Sequence, residues 1–136
     1  MAQSQPRGLR NNNPLNLRKS DNQWKGKIVP GEDPDFEQFT DLLWGIRAAF
    51  INVRTIIRRN PDCTIKRLIY IWAPPADGND TGAYVRQVET LSHISQHTVL
   101  DFKNKDQMVE VLWAMAAVEC GQRILHVHFE NAYEMV

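Results

Sequence analysis

Over residues 41–59 the side chains of Leu43, Ile46, Ala49, Phe50, Val53, Ile56 and Ile57 recur at helical spacing on one face, and Asn60-Pro61 stops the run. Thr40 is the expected N-cap, since its hydroxyl can accept from the first unpaired backbone N–H groups. A long helix with one apolar face must bury that face, so the rest of the chain has to fold around it. With 136 residues and 43% apolar content, the chain can close one core without disulfide staples.

The remaining segments supply the partners. Thr64 is expected to cap a second helix from about Ile65 to Ile71, ended by Pro74-Pro75, and Asp80 or Thr81 to cap a third carrying Tyr84, Val85 and Val88. A fourth helix opens at Asn104 or Lys105, with Met108, Leu112, Met115 and Glu119 in one stripe and Gly121 as its stop. Residues 122–136 fit a short helix or a strand equally, and on a strand His126 and His128 would point to one side. Residues 24–29 and 36–39, separated by Pro30, Gly31 and Pro34, predict a small hairpin or β-lobe with an acidic loop in solvent. Residues 8–21 are Asn-rich and predict an irregular segment anchored by Leu9, Leu15 and Leu17. The expected fold is therefore mainly α with a small β-hairpin lobe (α+β), one domain over residues 1–136 with a flexible start over 1–6.

Lys plus Arg and Asp plus Glu each total 16, so there is no global basic field for nucleic acid or an anionic membrane. Charge is local: Arg7, Arg10, Arg18 and Lys19 near the start, then Glu32, Asp33, Asp35 and Glu37 together, which read as two solvated surface regions rather than a cationic entrance beside an acidic loop. Cys63 and Cys120 belong to no CxxC or Cys/His pattern, and His93, His97, His126 and His128 show no metal-ligand spacing, so a reduced, metal-free protein needing no cofactor is expected. The opening MAQSQPRG lacks the apolar stretch of a signal peptide, and no run approaches the roughly 18 apolar residues of a membrane span. The expectation is a monomer made in the cytoplasm, with any substrate outside reached after release or non-classical export.

Glu119 is the carboxylate that these patterns single out. It lies seven residues after Leu112 and four after Met115, at the inward end of the Ala-Met-Ala-Ala-Val run, whereas Glu110 falls on the opposite side of the helix and should face solvent. A carboxyl group bordered by Met115, Ala116 and Val118 loses hydration, which raises its pKa toward the range of a general acid. The partial negative charge of the helix C-terminus acts in the same direction. A solvated glutamate at a helix end is the competing reading.

Three blocks carry a family resemblance. The stretch RGLRNNNPLNLR followed by WKGKI resembles the opening of a family of phage and bacterial cell-wall-degrading proteins with a Gly-Ile-Arg-Asn-Asn-Asn-Pro-Gly-Asn-Ile-Arg pattern before a Trp-x-Gly. The blocks FEQFTDLLWGIRAAF and IYIWAPPADGNDTGAYVRQV are similar to later parts of that family, and together the matches span roughly residues 7–121. The blocks also resemble a rearranged bacterial glucosaminidase domain of the lysozyme-like superfamily. There the Ala-x-x-Glu-Ser-Gly helix comes first, whereas Ala116, Ala117, Glu119 and Gly121 come last here, an order that implies circular permutation. Cys120 stands where such families show Ser or Asn, and Leu15 stands where the Asn-Pro-Gly-Asn turn has Gly.

The resemblance implies a peptidoglycan-cleaving glycosidase or lytic transglycosylase, with Glu119 as proton donor to the glycosidic oxygen. It implies a second, mobile carboxylate from the β-lobe, for which Glu32 is the candidate; Asp80 is the alternative, although a helix cap suits it better. Tyr84, four residues beyond Asp80, is a candidate to orient the glycan or stabilise positive charge, or else packs at a helix start. Trp24, Trp72, Asn13, Asn79 and Asp80 are candidate groove residues, with aromatic faces against sugars and amides toward N-acetyl groups, while Trp44 and Trp113 read as core. A non-catalytic virion or cell-wall-binding module of the same fold is the rival.

Overall fold

The computed structural model describes residues 5–136; among them are α1 (Arg7–Arg10), α2 (Leu42–Arg59), α3 (Ile65–Trp72), α4 (Thr81–Ser92), α5 (Lys105–Cys120) and α6 (His126–Glu134), with a 3-10 turn over Pro75–Asp77. The expected flexible start falls mostly outside the described residues. Within them, the Pro6 carbonyl accepts from Leu9 and Arg10, and the Gln5 carbonyl accepts from the Arg10 guanidinium.

Four helices are capped by side chains at the N-terminus, each cap contributing about 1 kcal/mol. Thr64, Asp80 and Asn104 cap α3, α4 and α5. For α2 the cap is Asp41, whose Oδ1 accepts from Leu43 N at 2.8 Å, and not Thr40. Thr40 stands one residue before the cap position, with its N–H bonded to the Gly26 carbonyl.

α5 is the centre of the molecule. It packs against α4 and α6, and α6 in turn lies on α2. Met108, Val109, Val111, Leu112, Trp113, Ala114, Met115 and Ala116 are all buried, so α5 is covered around its whole circumference and not along a single stripe. Each fully buried Leu or Met contributes about 1.5–3 kcal/mol of transfer free energy.

Residues 126–134 form a helix because Phe129 and Ala132, three residues apart, enter the core, with Tyr133 edge-on to Phe50 at 5.6 Å and donating to the Phe102 carbonyl at 2.7 Å. His126 and His128 therefore diverge instead of sharing a strand face. His126 stacks on Trp113 at 4.1 Å, with Nε2 3.0 Å from the Glu110 carboxylate.

The expected hairpin does not form a ladder. Residues 36–39 make isolated antiparallel bridges, Arg18 with Phe36 and Lys27 with Phe39, and no sheet exists among the described residues. Pro30 and Pro34 lack donors, and the Asp33 carboxylate takes the N–H groups of Asp35 and Phe36, both at 2.9 Å. Asp33 also receives Arg7 Nε and Nη2 at 2.6 Å and Asn11 Nδ2 at 2.9 Å, and the Arg7 guanidinium holds it well below the usual carboxylate range. Glu37 is buried beside Lys27 at 3.0 Å. The acidic stretch is thus not wholly solvated: two of its four carboxylates are structural, and Arg7 belongs to the same network.

Residues 8–21 begin with the single turn α1 and then make a tight Asn turn. Asn12 and Asn16 adopt positive φ, 52° and 53°, a conformation that Asn tolerates better than most side chains. Leu15 does not, which explains why it can stand where Gly is common: it is 1% exposed and anchors the turn in the core. The Asn12 carbonyl lies so close to α2 that a Cβ on Gly45 would meet it at 1.8 Å. Gly45→Ala should destabilise the fold by about 3 kcal/mol or more, since backbone on both sides must shift, and a lowered denaturant midpoint at unchanged slope is the expected reading.

Candidate functional site

Glu119 lies in the last turn of α5, where the covered helix emerges at the surface. Its Oε2 accepts from the Tyr84 hydroxyl of α4 at 3.2 Å, its Oε1 accepts from Asn16 Nδ2 at 3.4 Å, and the Trp72 side chain is a further donor. Burial raises its pKa, opposed in order by Asn16, Tyr84 and Trp72, which favour the charged form. No cation lies within 4.0 Å of the carboxylate among the described residues. The result is an acid that keeps its proton to higher pH than an ordinary glutamate while remaining held by neutral donors.

The surroundings hold those donors in place. Tyr84 is almost wholly buried; burial first, and then the charge of Glu119, push its phenol well above the usual range, so it stays a donor. Asn16 reaches Glu119 because of its left-handed backbone and because Gly8 has no side chain: a Cβ there would meet Asn16 Oδ1 at 3.0 Å and Cys120 Sγ at 3.1 Å. Asn16 Oδ1 itself is buried without a hydrogen-bond partner among the described residues. Cys120, pushed up to about 11 by burial and then by Glu119, is a neutral thiol that donates to the Pro14 carbonyl at 3.2 Å. It therefore ties the end of α5 to the Asn turn, a role for which Ser at this position would also serve.

Glu119 opens on a cleft of about 490 Å³ lined, among others, by Asn16, Trp24, Phe36, Asn52, Trp72, Asp77 and Asn79. On its other side lies a smaller recess of about 240 Å³ with Asn79, Asp80, Tyr84 and Gln87. Trp24 and Trp72 are half-buried and line the cleft, and Asn79 borders both cleft and recess while donating to the Pro74 carbonyl at 3.1 Å. Asp80 borders the recess and caps α4 through Ala83 N at 3.1 Å.

Two sequence candidates are not at the site. Asn13 is fully buried: Oδ1 accepts from Leu17 N, and Nδ2 donates to the carbonyls of Leu17 and Glu37, each at 2.9 Å, so the amide is committed to the turn. Glu32 is exposed on the loop before Asp33 and lines neither cleft nor recess; its backbone N–H is tied to the Gln38 side chain. Trp113 is buried, as expected, and Trp44 packs in a small second cluster with Leu17 and Phe39.

Sequence reasoning missed Asn16, Asn52 and Asp77. Asn52 is the one amide within the apolar helix α2, and that break in pattern was its signal. Asp77 follows Pro-Pro-Ala in a loop that offered none. Among the described residues no group of three or more His, Cys, Asp or Glu side chains is placed to hold a metal ion, and no helix is long and apolar enough to cross a membrane.

The raised pKa of Glu119 has a stability consequence. Its proton is bound more tightly in the folded state than in the unfolded one, so its favourable contribution is complete below the unfolded carboxylate value, about 4.3, and is lost as pH rises through the folded value. Glu119→Gln should therefore raise the melting temperature at pH 7, with the gain shrinking to nothing below about pH 4. Thermal melts of both proteins across pH 3–8 check this.

No protein-family model matches the chain. Protein P5 of Pseudoalteromonas phage PM2 is 36% identical to it over 118 residues, a stretch that covers 85% of this chain and 71% of that protein. At that identity and coverage, the chain belongs to the family of phage PM2 protein P5.

Proposed function

We propose that this protein cleaves the glycan strands of peptidoglycan, as a glycosidase or lytic transglycosylase, with Glu119 as the general acid and base. The observation that carries the reading is a carboxylic acid of raised pKa, held only by neutral donors, at the junction of an open cleft and a recess with Trp24 and Trp72 alongside. Aromatic faces suit the apolar faces of sugar rings, and Asn52 and Asn79 suit N-acetyl groups. The order of the matched sequence blocks, with the Ala116, Ala117, Glu119 and Gly121 block at the end of α5 coming last among them, fits a circularly permuted lysozyme-like arrangement.

With Glu32 outside the cleft and Asp80 engaged as the α4 cap, we take the chemistry that needs only Glu119, with Asp77 on the cleft lining as the alternative second carboxylate. Glu119 gives its proton to the glycosidic oxygen as the C1–O bond breaks, which leaves positive charge on the sugar ring. The carboxylate then takes the proton of the muramic acid C6 hydroxyl as that oxygen bonds to C1, closing an anhydro ring and restoring the acid. Tyr84 and Asn16 orient the carboxylate through both stages.

Digestion of purified peptidoglycan, with the products resolved by mass, tests this. Wild type should release anhydro-ended fragments, and Glu119→Gln should lose at least 10³-fold in rate, in keeping with removal of an essential proton donor. Two inert proteins that still sediment with the wall would overturn the enzyme reading in favour of a binding module.

The alkaline limb of the pH–rate profile should follow Glu119. Tyr84→Phe removes a donor that favours the charged form, so this limb should move to higher pH while kcat falls about tenfold. A limb that does not move would show that another group sets it.

A further inference from the structure

The space around Glu119 does not end at the cleft. The cleft shares Asn22, Trp24 and Asn52 with a further hollow of about 520 Å³ reaching Thr55 and Arg59, and on the opposite side it shares Asn79 and Glu119 with the recess. Glu119 therefore has open surface on both sides, with the ends carrying different charge. At the Trp24 end Arg59 is exposed in the hollow, and at the Asn79 end Asp80 borders the recess; Arg18 and Lys19, both exposed, line the cleft itself, as does Asp77.

Among the described residues the three cations have no acidic partner, and Lys19 Nζ reaches only the Gly31 carbonyl, at 3.5 Å. None lies within 4.0 Å of a carboxylate oxygen among the described residues, in contrast to Arg7 and Lys27, which are paired with Asp33 and Glu37. Arg18 is also oriented in advance: its guanidinium lies 5.8 Å from the centre of the Phe36 ring, and Phe36 is held from elsewhere by Arg7 at 4.5 Å. A neutral glycan would need no such cations. Peptide stems attached to the muramic acid lactyl group carry free carboxylates, and these would extend beyond the sugar groove at its cationic end.

Resting on the glycan-cleavage reading, we propose that Arg18, Lys19 and Arg59 bind the carboxylates of the peptide stems, so that the preferred substrate is stem-bearing peptidoglycan and not bare glycan. The amide and indole groups then read the sugars, and the cations read the stems on the side of Glu119 occupied by Trp24.

Binding and turnover together test this. Glu119→Gln, unable to donate a proton, is titrated with soluble stem-bearing glycan fragments and with the same fragments after amidase has removed the stems and the lactyl carboxylates so exposed have been capped as neutral methylamides. At low salt the stem-bearing ligand should bind about tenfold more tightly, and the preference should vanish in 0.5 M NaCl and in the Arg18→Gln/Lys19→Gln/Arg59→Gln background, with affinity for bare glycan unchanged. Equal affinity for both ligands, or an equal loss for both in the triple variant, overturns the stem-binding role while leaving glycan recognition intact. Binding with the stem preference but no turnover by wild type would sink the enzyme reading and leave this one standing. Binding of neither ligand would overturn both.

Discussion

The Asn12 carbonyl rests against α2 at Gly45, closer than any side chain there would permit, and the turn that follows depends on that approach. Asn13 is locked by three backbone partners, Leu15 plugs the core, Pro14 is bonded by the Cys120 thiol, and Asn16 is left with its amide at Glu119. If the turn moved away from α2, Asn16 would lose Glu119 and the floor of the cleft would open. The same seating sets residues 36–39, since Phe39 N bonds to the Asn11 carbonyl and Glu37 N to that of Leu17. Structure and site are thus coupled through backbone contacts whose tolerance for added atoms is very small.

The second constraint is the burial of α5 on all sides. A helix so enclosed has few places where a carboxylate can reach water, and Glu119 sits at one of them, in the last turn before Gly121. Its proton affinity is a balance of burial against three neutral donors supplied by the Asn turn, α3 and α4. Elements distant in sequence must therefore be assembled before the acid acquires its character, and the burial they create disfavours the ionised carboxylate.

Much of the secondary structure was legible because the relevant signals are local. The apolar face of α2, the Thr64 cap, the Pro-Pro stop after α3 and the Gly121 stop of α5 all act within a few residues of where they stand. The same reasoning failed for the hairpin, where Asp33 and Glu37 looked like solvated surface. What reversed that reading was Arg7 and Lys27 arriving as partners, with Arg7 twenty-six residues from Asp33. Asn13 illustrates the same limit: in the sequence it is one of three equivalent asparagines, and only the position of its neighbours separates a locked amide from a free one.

By itself the sequence determined a mainly helical chain with Glu119 continuing the apolar stripe of its helix, because periodicity and caps are properties of the chain, whereas Tyr84, Trp24, Trp72 and Asn79 were singled out by the family resemblance of the blocks that hold them. Tertiary structure decided which carboxylates are buried, which asparagine meets Glu119, and that Glu32 stands apart from the cleft. Those outcomes depend on desolvation and hydrogen-bond partners brought from elsewhere in the fold, and neither exists until the chain has closed around α5.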